Sequence, residues 1–277
     1  MTDNQIPLAG VIGHPIGHSK SPKLHGHWLK TYGLPGHYIP MDVAPEDLES
    51  VLRTLPKAGF VGANVTVPHK EAALQIADHV SDRAAKVGAA NTLVFQPDGS
   101  IHADNTDGYG FMENLLAGAP DWNPQDGPAV VFGAGGAARA VLQALVEAGV
   151  PEIMLTNRTR ARADQLKEEF GPRITVVDWV KAGNVIENAE LVVNTTSLGM
   201  QGQPELRVPL DGLQPGAVVT DLVYVPLKTR LLQAAEEAGC TTVDGLGMLL
   251  HQAVPGFERW YDKRPEVTDE LRATVVG

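Results

Sequence analysis

"AVVFGAGGAARAVLQAL", Ala129 to Leu145, begins as a strand of branched and apolar residues, turns through glycines, and continues as a helical pattern that ends before Gly149. In this strand, loop, helix context Gly133-Ala134-Gly135-Gly136-Ala137-Ala138 fits a dinucleotide-binding fingerprint. Gly133 serves the turn, Gly135 lets the backbone approach a pyrophosphate, and Ala138 replaces the third glycine where helix meets sheet. The plainer alternative is a tight turn with a structural purpose only.

The end of the next strand distinguishes the cofactors. NAD binders usually carry an acid there for the ribose hydroxyls, whereas this chain has Asn157-Arg158-Thr159, with Arg162 expected one helical turn beyond Arg158 on the same face. Two guanidinium groups and a threonine hydroxyl suit a 2′-phosphate, so NADP(H) is the expected cofactor. Cations cost energy at a helix start, which disfavours a merely solvated basic turn.

Around this segment, strand candidates recur at Glu152 to Thr156, Ile174 to Val177, Leu191 to Val193, Val218 to Leu222 and Thr241 to Val243, separated by helical patterns or loops. That rhythm predicts a doubly wound parallel sheet, with ligands beyond the carboxyl ends of its strands. Upstream, strands at Leu8 to Ile12, Tyr38 to Val43 and Phe60 to Val67 alternate with helices from Pro22, from Pro45 and after Pro68, predicting a second α/β unit. "QPDGS" between Asn91 to Phe95 and Ser100 to Ala103 is turn chemistry, so an antiparallel hairpin is expected to close that unit. The Gly-, Pro- and Asp-rich stretch Gly118 to Pro128 follows a boundary expected near Gly108. From Gly247 to Tyr261 the pattern is helical, with a kink or break expected at Pro255-Gly256.

The chain has 277 residues, enough for two domains, and 43% apolar content, enough for two cores. A net charge of -11 argues against nucleic acid or an anionic membrane as the main partner, though a small anion in a locally basic pocket fits. A single cysteine, Cys240, and a start, "MTDNQIPLAG", with neither a basic region nor a long apolar run suggest a reduced, cytoplasmic protein. No segment approaches the ~20 apolar residues of a membrane span.

Within the first unit, Val65 and Val67 alternate with Asn64 and Thr66, so the valines are expected to face inward and the polar pair to share the other side. Pro68 ends the strand, and Lys70 falls near the first turn of the next helix, where the dipole disfavours a cation. It is either a solvated lysine or one with work to do. Ser21, just before Pro22, is a plausible N-cap, and Ser19 with Ser21 beside unpaired backbone N–H groups would also hold a carboxylate. His14, His18, His25 and His27 lack nearby Asp, Glu or Cys partners, so no metal is expected. Asn91, Asn105, Thr106 and Asp107 stand at strand ends; Asp107 is a helix cap or an acid that alters the electrostatics of Lys70 for proton transfer.

Taken in order, Ser19-Lys20-Ser21-Pro22, Asn64-Val65-Thr66-Val67-Pro68-His69-Lys70, Asn91-Thr92, Asn105-Thr106-Asp107-Gly108, Gly133 to Ala138 and Asn157-Arg158-Thr159 resemble the shikimate dehydrogenase family. Asp221 to Pro226 and Gly245 to Ala253 extend the resemblance over essentially the whole chain. It implies an N-terminal α/β substrate-binding domain, 1–108, completed by C-terminal helices 247–277, and a Rossmann-type NADP-binding domain, 109–246, with the active site in the cleft between them. The implied reaction is NADP-dependent interconversion of 3-dehydroshikimate and shikimate in aromatic amino-acid and chorismate biosynthesis.

The resemblance also implies roles. Ser19 and Ser21 would bind the substrate carboxylate, and Asn64, Thr66, Asn91, Asp107 and Gln252 its ring hydroxyls. Lys70 would be the acid/base, paired with Asp107, and Tyr224 would line the substrate site. Gly133, Ala134, Gly135, Gly136, Ala137, Asn157, Arg158, Thr159, Arg162 and Leu222 would hold the cofactor; Asn194, Thr195, Thr196 and Met248 would lie near its nicotinamide side, and Gly245, also at the cofactor, would line the cleft with Tyr224. The small-molecule substrate is the expected partner, and a homodimer stays open. A quinate/shikimate dehydrogenase of broader specificity and a non-catalytic NADP(H)-binding regulator are the rival readings; a methylenetetrahydrofolate dehydrogenase is disfavoured by the serine pair and by Lys70 with Asp107.

Overall fold

The structure is a computed structural model that describes residues 6–277; the first five residues, part of the N-terminal stretch read above, lie outside it. Along the chain come β1 (Leu8–Gly13), α1 (Ser21–Thr31), β2 (His37–Asp42), α2 (Leu48–Thr54), β3 (Phe60–Val65), α3 (Lys70–Ile76), β4 (His79–Val80), α4 (Asp82–Val87), β5 (Thr92–Phe95) and β6 (Ile101–Asp104). Next are α5 (Asp107–Gly118), β7 (Ala129–Phe132), α6 (Gly136–Ala148), β8 (Ile153–Asn157), α7 (Arg160–Phe170), β9 (Ile174–Asp178), α8 (Ala182–Val185), β10 (Leu191–Asn194), β11 (Val218–Asp221), α9 (Arg230–Glu237) and β12 (Thr241–Val243). Three helices finish the chain: α10 (Leu246–His251), α11 (Val254–Tyr261) and α12 (Asp269–Val276). Two compact units result, one holding the chain up to Thr106 together with Leu250–Gly277, the other Asp107–Leu249.

The first unit's sheet runs β2-β1-β3-β5-β6-β4. β1 is parallel to β2 and β3, and the chain then reverses, so β3, β5 and β6 form an antiparallel run. The expected hairpin is therefore present, but it does not close the sheet: the two-residue β4 adds at the edge, parallel to β6. One face packs Ile12, Leu48, Leu52, Ala63, Val65, Leu93 and Ile101 into a core. The other receives aromatic side chains from α1 and α11; the Trp260 indole donates to the Leu93 carbonyl at 3.0 Å and lies where a Cβ on Gly62 would stand. Gly62 is glycine because that ring needs its space.

The second unit's sheet, β12-β11-β10-β7-β8-β9, is parallel throughout. Read from β7 as the first strand, the order is that of a doubly wound dinucleotide-binding fold, and the direction of winding reverses between β7 and β10. All four residues of β7 are buried, as are those of β10 and β11, which is why these strands read as unbroken apolar runs. Ala138 is fully buried and packs with Val131, Val141 and Leu155, so the missing third glycine leaves a contact only a small side chain fills.

Several local expectations change. β3 stops at Val65, and Val67 is 71% exposed, because the turn at Pro68 takes the chain away from the core before the alternation reaches it. Near Pro255 the chain breaks rather than kinks: α10 ends at His251 and α11 starts at Val254 with proline in its first turn, where its missing N–H costs nothing. No helix among the described residues is long and apolar enough to cross a membrane.

Candidate active site

In the first unit the polar residues collect at the carboxyl ends of β1, β3 and β6 and at the amino end of the antiparallel β5. α1 begins at Ser21 itself, so Ser21 is not its cap. Lys20 stands at the N-cap position without a side-chain cap bond; the Ser19 hydroxyl, one residue earlier, accepts from the Ser21 N–H at 3.3 Å, and Ser21 is buried as the first helical residue. The two serines are thus brought together by that bond, and neither is the cap. Lys70 is the first residue of α3, half-buried, as its spacing after Pro68 predicts. Its carbonyl accepts from Ala90 N at 2.8 Å, and the preceding His69 is buried with ring Nε2 on the Val43 carbonyl at 2.8 Å. A carbonyl only accepts, so His69 carries its proton on Nε2. Those two bonds hold the start of α3 in place.

Asn64, Asn91 and Gln252 join one network. Tyr38 donates its hydroxyl to Asn64 Oδ1 at 2.7 Å, and Asn64 Nδ2 donates to the Asn91 carbonyl at 3.1 Å. Asn91 Oδ1 accepts the Thr106 N–H at 2.8 Å, and Asn91 Nδ2 donates to Gln252 Oε1 at 3.1 Å. The Thr106 hydroxyl also donates to the Gln252 carbonyl at 2.8 Å, which ties the returning C-terminal segment to β6's end. Thr66 is half-buried at the end of β3, its N–H on the Ile12 carbonyl at 2.8 Å.

Beneath this network are groups that sequence reading missed. Asp104 is 4% exposed, accepts from Ser81 Oγ at 2.7 Å and from Arg83 Nε at 2.6 Å, and pairs with Arg259 at 2.8 Å. Burial pulls its carboxyl up, but Arg83, Ser81 and Arg259 outweigh that and hold it well below the usual carboxylate range. His25 is fully buried against Tyr38, its ring stacked at 3.9 Å between centroids, and burial lowers it to about 3. Asn64 lies near enough to offset part of that shift, yet neither ring nitrogen has a hydrogen-bond partner among the described residues.

The second unit presents the other set. Gly133 follows β7 with φ +106°, a backbone conformation side chains resist, and a Cβ there would stand 2.7 Å from Thr195 Oγ1. Among the described residues no atom lies within 4 Å of a Cβ added at Gly135 or Gly136, and no side chain caps α6. Exposed N–H groups at a helix start beside bare glycines fit a pyrophosphate. Half-buried Ala134 and Ala137 complete the loop. At the end of β10 Asn194 Oδ1 accepts from the Thr196 hydroxyl at 2.7 Å, and Thr195 Oγ1 donates to the Phe132 carbonyl at 2.7 Å, so both threonines are set at the point where winding reverses.

Asn157 ends β8 and bonds the Thr159 carbonyl at 2.8 Å. α7 starts only at Arg160, so Arg158 lies before the helix and does not share a helical face with Arg162, contrary to the spacing argument. Arg160, which that argument passed over, pairs with Asp178 and Asp164. Both acids near this turn are thereby engaged, and Arg158 and Arg162 stand exposed. The cradle and these two exposed guanidiniums fit a phosphorylated dinucleotide.

Elsewhere in this unit Gly245 backs onto the Leu222 carbonyl, 2.4 Å from where a Cβ would be. Leu222 and Met248 pack partly against the sheet core, and burial raises Tyr224 above its ordinary value. Asp107 is the first residue within α5, half-buried, so its acid is in the first turn and not at the cap. Among the described residues no group of three His, Cys, Asp or Glu is placed to hold a metal ion.

Residues 11–93 match the family model described as the shikimate dehydrogenase substrate binding domain, and residues 121–200 that described as shikimate / quinate 5-dehydrogenase. The chain is 71% identical over 276 residues, the whole of both chains, to the shikimate dehydrogenase (NADP(+)) of Ruegeria sp. (strain TM1040). It belongs to the shikimate dehydrogenase family.

Solved members of this fold agree in both halves. Shikimate 5-dehydrogenase from Thermus thermophilus, in complex with NADP(H) and shikimate, is 39% identical with a TM-score of 0.86, covering 97% of this chain and 98% of that one. Quinate dehydrogenase from Corynebacterium glutamicum, in complex with NAD, is 33% identical with a TM-score of 0.91, covering 99% of each. The α/β substrate-binding unit and the parallel Rossmann-type unit are thus those of shikimate dehydrogenases.

Proposed function

We infer that the chain is an NADP-dependent shikimate dehydrogenase, an oxidoreductase interconverting 3-dehydroshikimate and shikimate. Its 71% identity to the Ruegeria enzyme over the whole length carries this reading, and the glycine cradle with Arg158 and Arg162 supports the choice of NADP. NADP(H) supplies the hydride chemistry when bound. We assign the pyrophosphate to the Gly133 to Ala137 loop, the 2′-phosphate end to Asn157, Arg158, Thr159 and Arg162, the nicotinamide side to Asn194, Thr195, Thr196 and Met248, and further cofactor contacts to Leu222 and Gly245.

Ser19 and Ser21 are assigned to the substrate carboxylate, with Tyr224 lining the site. Asn64, Thr66, Asn91, Asp107 and Gln252 take the ring hydroxyls. Oxidation of an alcohol carbon needs its hydroxyl proton removed, and Lys70 is the proposed base; in the reverse direction its ammonium gives that proton to the carbonyl oxygen. Asp107 is the proposed acidic partner of Lys70 in that proton exchange. The domain roles follow: residues 1–108 with 247–277 for substrate, 109–246 for cofactor. A cytoplasmic location suits the single half-buried thiol, Cys240.

The test is the appearance of NADPH absorbance with shikimate and NADP, run beside quinate and NAD. Turnover confined to shikimate with NADP is expected, and NADP binding without turnover on either acid would replace the enzyme with a regulator. The likeness to the Corynebacterium quinate dehydrogenase favours a second reading, a broader enzyme, which comparable quinate or NAD rates would establish. Sedimentation of the purified chain distinguishes monomer from homodimer.

A further inference from the structure

Hydrogen-bond polarity at Asn64 follows from groups whose own polarity is beyond choice. The Asn91 backbone carbonyl, 3.1 Å away, only accepts, so the Asn64 atom facing it is the nitrogen. Turning the amide over would set two lone pairs against each other inside a buried network. The other end is therefore the oxygen, and the Tyr38 hydroxyl at 2.7 Å must be the donor. Thr92 Oγ1, at 3.3 Å, lies on the nitrogen side as well. Both Asn64 N–H bonds are thus directed into the sheet; Oδ1 has one lone pair on Tyr38 and a second that the neighbouring His25 leaves unfilled, since neither of its ring nitrogens is hydrogen-bonded among the described residues.

Tyr38 can hold this role because its own position is over-determined. It is 8% exposed, its ring lies parallel to the buried His25 ring with a 4° interplanar angle, and Trp260 stands 6.1 Å away. Burial raises the phenol well above its ordinary value, Tyr261 adds to that, and Ser21 opposes it; the hydroxyl keeps its proton and remains a donor. Tyr38 thereby stands between Asn64 and Ser21.

We propose that Tyr38 is the positioning residue that sets Asn64 as a hydrogen-bond acceptor for a substrate hydroxyl. This rests on the placement of Asn64 in the shikimate site. The subsite then selects a group that donates, a hydroxyl, and rejects a ketone, an ether or a fluorine at the same ring position.

Steady-state kinetics of Tyr38→Phe test it, since the phenyl ring keeps the stack and only the donor is lost. The expected result is a shikimate KM raised about tenfold, the scale of one buried hydrogen bond, with kcat within about threefold and the NADP KM unchanged. In an Asn64→Ala background the same change should add nothing, because the group through which Tyr38 acts is gone. An unchanged KM in Tyr38→Phe, an equal penalty in both backgrounds, or a shift in the NADP KM would overturn the proposal.

Asn64→Asp gives an arm that leaves Tyr38 intact. Its ionised carboxylate faces the Asn91 carbonyl with no proton, whereas the protonated acid restores one donor and one acceptor. Its shikimate KM, divided by that of the parent, should fall toward one as the pH drops to about 5; a ratio independent of pH would overturn the assignment. Failure of the parent to oxidise shikimate at all, with NADP binding intact, would instead refute the functional reading on which both arms depend.

Discussion

Asn194 donates its amide nitrogen to the Asp221 carboxylate at 2.9 Å, across the paired ends of β10 and β11. The same carboxylate, 1% exposed, accepts from the Val223 N–H at 3.0 Å and the Thr229 hydroxyl at 2.7 Å. Burial raises this acid and the three donors pull it back. Asp221→Ala strands all three, so it should cost about 3 to 5 kcal/mol. Urea unfolding measures this, and a loss below about 1 kcal/mol would show that the turn repacks without the carboxylate.

The two glycines of the cofactor loop should fail in different ways. Gly133→Ala meets Thr195 and an unfavourable φ, and should lower stability by about 1 to 3 kcal/mol. Gly135→Ala meets nothing in the protein, and should leave the melting temperature unchanged while weakening NADP binding. Thermal unfolding and NADP titration of the same two variants separate the effects.

Arg158→Ala and Arg162→Ala should each raise the KM for NADP about 10- to 100-fold, the range of a charge-assisted bond, with little change for NAD. Arg160→Ala should spare cofactor choice, since that side chain is committed to Asp164 and Asp178. A larger cofactor effect at Arg160 than at its neighbours would reverse the assignment.

Lys70→Met should lower kcat by about 10²- to 10⁴-fold while shikimate still protects the protein against heat. Undiminished turnover would return Lys70 to the status of a surface lysine.

Asp104 links stability to pH. Its carboxyl is held below the unfolded value, so the unfolded chain takes up the proton first as pH falls. The stabilisation is therefore complete above about pH 4 and is lost progressively below it. Asp104→Asn should be less stable than the parent at pH 6, and the gap should narrow toward pH 3. Melting temperatures across that range decide it; a constant gap would mean the arginines are held by something else.

What could be read from the chain depended on sequence distance. The second unit was legible because strand, loop and helix are contiguous, and a run such as Ala129 to Phe132 signals burial on both faces by itself. Ser21 reads as a cap because Ser-Pro marks a helix start only to within a residue or two, and the helix takes Ser21 in, leaving Lys20 at the cap position. Val67 was misplaced because alternation carries no sign of where the turn begins. Tyr38 and Asn64 are 26 residues apart, and Trp260 and Leu93 are separated by 167. Asp104 was invisible for the same reason: nothing in its neighbourhood announces Arg259.

The return of Leu250–Gly277 to the first unit also sets an order of manufacture. Trp28 Nε1 donates to the Glu266 carbonyl at 2.9 Å, and Trp260 to Leu93, so the first sheet waits for side chains and carbonyls made last. While the ribosome is still translating, the second unit has all its residues before the first does. The earliest part of the polypeptide is thus the last to be finished, and a stop codon a few dozen residues early would spare the cofactor half while leaving the other without its covering helices.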